Sequence, residues 1–318
     1  MIAGHTAHMT TQHAIPVIID TDIGGDIDDT WALAMALKRP ELDLRLITTC
    51  TGDTIYRAKI VCRLLELAGR SDIPVGIGER YPSDGPREKQ LPWVADYRLD
   101  QYPGALHDDG IDALIRTCMD TPDLTLIGIG PMTNIEAAVR REPRIAARTR
   151  LVLMAGCVHK HYRDWQAPGP FPEFNVVQDL PAARVALAAP WREVVITPLD
   201  TCERIRLTGA HYQRCVASRD PLLQAVITNY RLWLKRPAGG EEVSSILYDA
   251  VAIWLAFSQQ HLVMERHGLG LTQDGVTRLD PTKPMVNLAL EWSDLDAWIE
   301  EFVATMESPA LAKPPARG

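Results

Sequence analysis

Residues Val17-Ile18-Ile19-Asp20-Thr21 form an unbroken apolar run that ends in an acid and a hydroxyl. A strand that is apolar on both faces must be covered on both faces, which a parallel sheet sandwiched between helices provides. The chain repeats that demand. Leu42–Cys50, Ile73–Gly78, Leu124–Gly128, Leu151–Ala155 and Glu193–Thr197 read as further strands. Between them Thr30–Leu37, Thr54–Ala68, Gly110–Met119, Thr133–Arg140 and Pro181–Ala189 read as helices, with Pro40 and Gly69 as stop signals. Strand–helix units of roughly 25–35 residues predict an α/β fold, with a mostly parallel, doubly wound central sheet flanked by helices. The last third reads as more helical, near 209–218, 221–235, 247–259 and 294–306, with one strand at Met285–Leu290. The stretches 79–108 and Gly156–Asn175 carry no period and read as long loops. No linker or internal repeat interrupts the pattern. The expectation is a single domain over 15–307, a frayed tail at 1–14 and a Pro-rich tail at 308–318.

Within this frame, five aspartates fall in the ten residues Asp20-Thr-Asp22-Ile-Gly-Gly-Asp26-Ile-Asp28-Asp29. They lie between the carboxyl end of the first strand and the start of the first helix, the edge where open α/β sheets bind ligands. Carboxylates this dense repel one another and raise each other's pKa values, a cost that a bound cation removes. Hard oxygen donors point to Ca²⁺ or Mg²⁺. Gly24-Gly25 let the backbone turn tightly enough for the acids to converge. Helix capping accounts for one or two of these acids and leaves the others unexplained. An EF-hand loop needs a helix on both sides and a Glu at its twelfth position, and neither is present. An aspartyl-phosphate phosphatase needs a following Thr or Ser and a downstream Lys at a spacing that is not found.

Composition narrows the partners. The 41 acidic and 33 basic side chains leave a formal charge of −8, and a net-acidic surface repels phosphate polymers, so no nucleic-acid polymer is expected as a partner. No apolar run reaches the roughly 18 residues of a membrane span, and no signal-peptide core is evident, so no membrane partner is expected. The six cysteines are scattered without a CxxC, as in reduced cytoplasmic proteins. No GxSxG, Walker A or HExxH motif is present.

Further short motifs follow in order: Ile47-Thr48-Thr49-x-x-Gly52, Gly130-Pro131-Met132-Thr133-Asn134-Ile135, Val152-Leu153-Met154-Ala155-Gly156, Glu173-Phe174-Asn175 with Asp179 behind it, and Tyr248-Asp249-Ala250. Together with the aspartate cluster, this ordered set resembles the nucleoside hydrolase family, the Ca²⁺-dependent N-ribohydrolases typified by inosine-uridine-preferring enzymes. The resemblance covers about residues 16–306. It implies cleavage of a nucleoside or related riboside to ribose and free base, by a homodimer or homotetramer. It implies that Asp22 is both a calcium ligand and the base that deprotonates the attacking water. Asp29, Asp249 and the backbone carbonyl of Ile129 would be further ligands, and Asp28 would bind a ribose hydroxyl. The aspartate stretch is two residues longer than the family's, so Asp26 is an alternative for one of these roles. Met154, Glu173 and Asn175 would clamp the ribose.

Three positions depart from the family pattern. Tyr248 stands where inosine-uridine members carry the His that protonates the leaving base. Asp53 replaces an Asn after the Thr-Thr-x-x-Gly stretch, and Ala167 falls where a further Asn is expected before Glu173. The metal and sugar half of the site therefore reads as kept and the leaving-group half as changed. Candidates on the base side are Asp53, His159, Trp165, Phe174 and Tyr248, with His161 and Phe171 in the same loop. The alternative reading is a riboside-binding protein, or a hydrolase of non-standard ribosides, that lacks the usual leaving-group His. The segment around Gly239-Gly240 reads as a flap.

Overall fold

The computed structural model describes residues 14–81, 88–160, 169–235 and 242–312. The tails 1–13 and 313–318, Trp165, His161, Ala167 and the Gly239-Gly240 segment lie outside the described residues.

Among the described residues there are twelve strands: β1 Ile15–Thr21, β2 Leu42–Thr49, β3 Val75–Ile77, β4 Leu106–His107, β5 Thr125–Gly128, β6 Arg150–Met154, β7 Glu193–Thr197, β8 Arg206–Thr208, β9 Val243–Ile246, β10 Leu262–Leu271, β11 Thr277–Leu279 and β12 Met285–Trp292. Ten of them form one sheet in the order β11-β10-β12-β7-β6-β5-β1-β2-β3-β4, while β8 and β9 pair separately. Every pairing from β4 to β12 is parallel, and only β10 runs antiparallel, to β12 and β11. The chain builds outward from β1 to β4, then returns to the other side of β1 with β5. The gap between the carboxyl ends of β1 and β5 is thus a topological switch point, where a crevice opens.

The unbroken apolar strands are explained by their two faces. Val17, Ile19, Ile47, Ile127, Val152 and Val195 point into one core layer. Ile18, Leu46, Leu126, Leu151, Leu153 and Ile196 point into the other. Helices Asp28–Ala36, Thr54–Leu67, Pro221–Leu234 and Leu295–Glu307 supply apolar side chains to the first layer. Helices Gly110–Asp120, Thr133–Arg141 and Leu180–Ala188 supply them to the second. This is the expected doubly wound, single-domain α/β architecture.

The carboxyl-terminal third departs from expectation. Leu262–Leu271 is a strand, with β11 folded back on it, and the helix expected over 247–259 is only Ala250–Leu255, preceded by β9. β11 pairs only Leu269–Leu271 of β10, so the rest of β10 is an exposed edge whose charges, such as Glu265 and Arg266, blur an apolar signal.

One buried lysine ties three helices of the first layer together. Lys38, just past the first helix, donates from Nζ to Asp220 Oδ1 at 2.9 Å, to the Met306 carbonyl at 3.0 Å and to the Ser308 carbonyl. Lys38→Met leaves a carboxylate and two carbonyls without their cation, and should cost about 3 kcal/mol of unfolding free energy. Urea denaturation checks this, and a midpoint equal to that of the parent protein contradicts it.

Candidate active site

Asp20, the last inward residue of β1, is fully buried. Its Oδ1 accepts from Thr48 Oγ1 at 2.5 Å and from Asn134 Nδ2 at 2.7 Å. Burial pushes its carboxyl up to about 6, against the pull of these hydrogen bonds. Asn134 Nδ2 also donates to the Thr49 carbonyl at 3.1 Å, and Asn134 Oδ1 accepts from the Glu79 backbone at 2.9 Å. Asp20 is therefore a framework acid that locks β1 to β2 and to the helix after β5. Asn134 belongs to a motif read from the sequence, but this clamp was not foreseen there.

The other four acids line one cavity, and the backbone around them is tightly held. Gly130 packs so closely that a Cβ there would sit 2.9 Å from the Asp22 nitrogen and 2.8 Å from Cys50 Sγ. Gly24 takes a left-handed φ of +103°, open to glycine at no steric cost. Its carbonyl accepts from Tyr56 Oη at 3.1 Å and from the Lys89 nitrogen at 3.2 Å. Gln90, also buried, donates from Nε2 to the Asp26 carbonyl at 3.3 Å and accepts from Thr30 Oγ1 at 3.2 Å. Helix Asp28–Ala36 then begins with both acids in its first turn, where the helix dipole favours negative charge.

Ligand atoms of Asp28, Asp29 and Asp249 lie within 4.8 Å of one another, and all three residues are buried. Thr21 Oγ1 donates to Asp29 Oδ1 at 2.5 Å. Asp249 opens helix Ala250–Leu255 yet makes no side-chain cap, so capping does not explain it. Burial, and then mutual repulsion among the acids, holds the carboxyls of Asp28, Asp29 and Asp249 well above the usual range. Asp22 stands beside them, with its Oδ2 3.8 Å from the guanidinium of Arg57. Arg57 is buried and donates to the Thr51 carbonyl at 2.6 Å and the Ile23 carbonyl at 2.7 Å. No sequence signal singled it out, since an Arg on an amphipathic helix ordinarily faces water.

Glu173 and Asn175 complete the floor. Glu173 accepts backbone N–H groups from Gly156 at 3.0 Å, Asn175 at 2.8 Å and Val176 at 3.2 Å. Burial nevertheless pushes its carboxyl up to about 7. Asn175 Nδ2 donates to the Met154 carbonyl at 3.0 Å and the Ile129 carbonyl at 3.3 Å.

These groups line a cavity of about 340 Å³. Of the residues expected at the site, Asp22, Asp26, Asp28, Asp29, Ile129, Met154, Phe171, Glu173, Phe174, Asn175, Tyr248 and Asp249 all reach its wall, with Pro172, Val177 and Leu199 added. Two base-side expectations do not. Asp53 caps helix Thr54–Leu67 through the nitrogens of Ile55 and Tyr56 and pairs with Arg80 at 2.9 Å. His159 is exposed, and its backbone nitrogen donates to Asp200 Oδ1 at 2.8 Å. Neither lines the cavity, because capping and a loop anchor take their places in the fold. Among the described residues no helix is long and apolar enough to cross a membrane.

Comparison with known proteins agrees with this geometry. The "non-specific ribonucleoside hydrolase RihC" of Salmonella paratyphi B is 28% identical over 315 residues, covering 92% of this chain and 98% of its own. That of Klebsiella pneumoniae is 27% identical, covering 91% of this chain and 98% of its own. In structure, a plant nucleoside hydrolase superposes with a TM-score of 0.75 at 22% identity, covering 93% of this chain and 98% of its own. A purine-preferring ribonucleoside hydrolase from Gardnerella vaginalis gives 0.72 at 23% identity, covering 93% and 99%. The sequence profile of inosine-uridine preferring nucleoside hydrolases matches residues 17–297. With nearly the whole described domain inside that match, the chain belongs to the inosine-uridine preferring nucleoside hydrolase family of N-glycosidic hydrolases.

Proposed function

We propose that this protein hydrolyses the N-glycosidic bond of ribonucleosides or related ribosides in a Ca²⁺-dependent reaction that yields ribose and the free base. The observation that carries this reading is the convergence of Asp28, Asp29 and Asp249 within 4.8 Å on a pocket that Asp22, Glu173 and Asn175 also line.

The residues fit a calcium ion. The donors are all hard oxygens, as that ion requires, and their raised pKa values mark buried acids crowded together, a cost that a cation would remove. Asp22, Asp29, Asp249 and the Ile129 carbonyl would hold the ion, with Asp26 as an alternative ligand. Bound there, calcium would lower the pKa of a water and draw in the ribose 2′- and 3′-hydroxyls. Asp22 takes the proton as the water oxygen bonds to C1′. Asp28, Glu173 and Asn175 fix the ribose hydroxyls and Met154 packs against the sugar, so that C1′ faces the water. The surrounding carboxylates favour the positive charge that grows on the sugar as the C1′–N electron pair leaves with the base. Phe174 and Tyr248 face the base, and Trp165 is a further candidate there. By the same reading the enzyme acts in the cytoplasm as a homodimer or homotetramer.

Ribose release is the test, with inosine, adenosine, guanosine, uridine and cytidine as substrates. A chelator should abolish it and calcium restore it. Riboside binding without any release would instead favour a binding protein, a reading that Tyr248 in place of the family's His motivates. Asp22→Asn should lower kcat by about 10³-fold or more, while circular dichroism shows the fold intact. A near-parental rate would remove Asp22 as the base.

Stability should follow the charge. Asp28, Asp29 and Asp249 have folded-state pKa values above their unfolded ones. Their contribution to stability is therefore full at low pH and lost as pH rises through the raised values. Glu173 at about 7 and Asp20 at about 6 act in the same direction. In chelator, Tm should rise as the pH falls from about 8 to about 5, and calcium should flatten the curve. A chelated protein whose Tm falls across that window contradicts the proposal.

A further inference from the structure

The aglycone half of the pocket has a chemistry of its own. The cavity wall carries six carboxylates, Asp22, Asp26, Asp28, Asp29, Glu173 and Asp249, and no Lys, Arg or His among its described residues. Asp26 stands outside the trio of Asp28, Asp29 and Asp249, and it is exposed. Phe171, Phe174 and Tyr248 supply aromatic faces to the same wall. A second cavity of about 500 Å³ adjoins the first and shares Asp26 and Tyr248 with it. Tyr230, Trp233 and Glu242 line that cavity. The indole of Trp233 already faces a cation, with Lys89 Nζ 4.9 Å from its centroid. Arg206 is the one basic side chain among the described lining residues of the second cavity, and it lies on β8, apart from the acid-lined first cavity.

Carboxylates and aromatic faces together attract a cation. The same wall offers no imidazole or ammonium among its described residues to protonate a departing base. Both Glu173 oxygens are held by backbone N–H groups, and Tyr248 stands on this wall in the place of the family's proton-donating His. A neutral nucleobase leaves as an anion unless it is protonated, so this wall serves it badly.

We propose that the leaving-group half of the site is built for ribosides whose heterocycle carries a permanent positive charge, of the N-ribosylpyridinium class. This rests on the hydrolytic reading given above. The C1′–N⁺ bond breaks heterolytically and its electron pair neutralises the ring nitrogen. Water forms the new C1′–O bond and gives its proton to Asp22. The cation and water become ribose, a neutral heterocycle and one proton, with no acid required at the leaving group.

The experiment compares kcat/KM for the N-riboside of pyridine carboxamide, a permanent cation, with inosine and uridine, in calcium at neutral pH. The cationic riboside should be favoured by about 100-fold or more, the least that general acid catalysis contributes where it operates. Intrinsic lability of the pyridinium bond is separated by two variants. Tyr248→His should raise kcat/KM for inosine several-fold more than for the cation, because only the neutral base gains from an acid. Asp26→Asn should narrow the preference for the cation by weakening its attraction. If inosine or uridine is cleaved as well as the cationic riboside, the inference is overturned and nucleoside hydrolysis stands. If both variants leave the ratio unchanged, the inference is likewise overturned. If no riboside releases ribose with calcium present, the hydrolytic reading itself falls.

Discussion

Like charges held out of water are the constraint on which this structure turns. Asp28, Asp29 and Asp249 present ligand atoms within 4.8 Å of one another. At an effective dielectric constant near 20, two unit charges at that separation repel by about 3 kcal/mol. A chain held together by a margin of about 5–15 kcal/mol cannot keep several such pairs without counterweights. Much of the local architecture acts as counterweight. The switch point between β1 and β5 brings the acids to a strand edge where a cation can enter. The first turn of helix Asp28–Ala36 offers the positive end of its dipole to two of them. Thr21 donates to Asp29, and the guanidinium of Arg57 lies against Asp22. What remains uncompensated is what a divalent cation would take up.

The clamps around the acids are as demanding as the acids themselves. Asn134 holds Asp20, the Thr49 carbonyl and the Glu79 nitrogen with one side chain, so three segments arrive at the site in fixed register. Gly130 leaves no room for a side chain against Asp22. Asn175 grips the carbonyls of Ile129 and Met154, so an amide proposed to face the sugar also orients a carbonyl proposed to face the ion. A group held this way loses little freedom when substrate arrives, and that prior ordering is what positional catalysis needs.

Most of the fold was legible because its strands are buried on both faces. The alternation of Val17 and Ile19 with Ile18 between two core layers leaves a continuous apolar run that few other structures produce. β10 was not legible, since its charged and glycine residues obey neither the buried-strand nor the amphipathic-helix period. At the site, the acid cluster announced itself by density, but density does not say which way each carboxylate points. Asp20 turns inward because Thr48 and Asn134, 28 and 114 residues away, receive it, and no local pattern encodes partners at that range. Arg57 was invisible for the same reason. A motif position points Asp53 to the base and a loop position points His159 there, while the fold uses Asp53 as a helix cap and sets His159 on the surface.

The longer aspartate loop shows how the two halves of the site separate physically. Two extra residues between Asp22 and Asp28 would slacken a shorter loop. Here Tyr56, Lys89 and Gln90 bind its carbonyls, and Arg57 fastens Ile23 to the end of β2 through Thr51. The slack is taken up by groups from the second helix and from the excursion after β3, which leaves Asp28 and Asp29 in place on their helix. What the loop adds is Asp26, carried to the boundary between the two cavities. A lengthened loop can therefore alter the charge at the cavity's rim while the buried acid floor keeps its geometry. The floor depends on sheet register and buried clamps, and the rim depends only on what the loop presents to the opening.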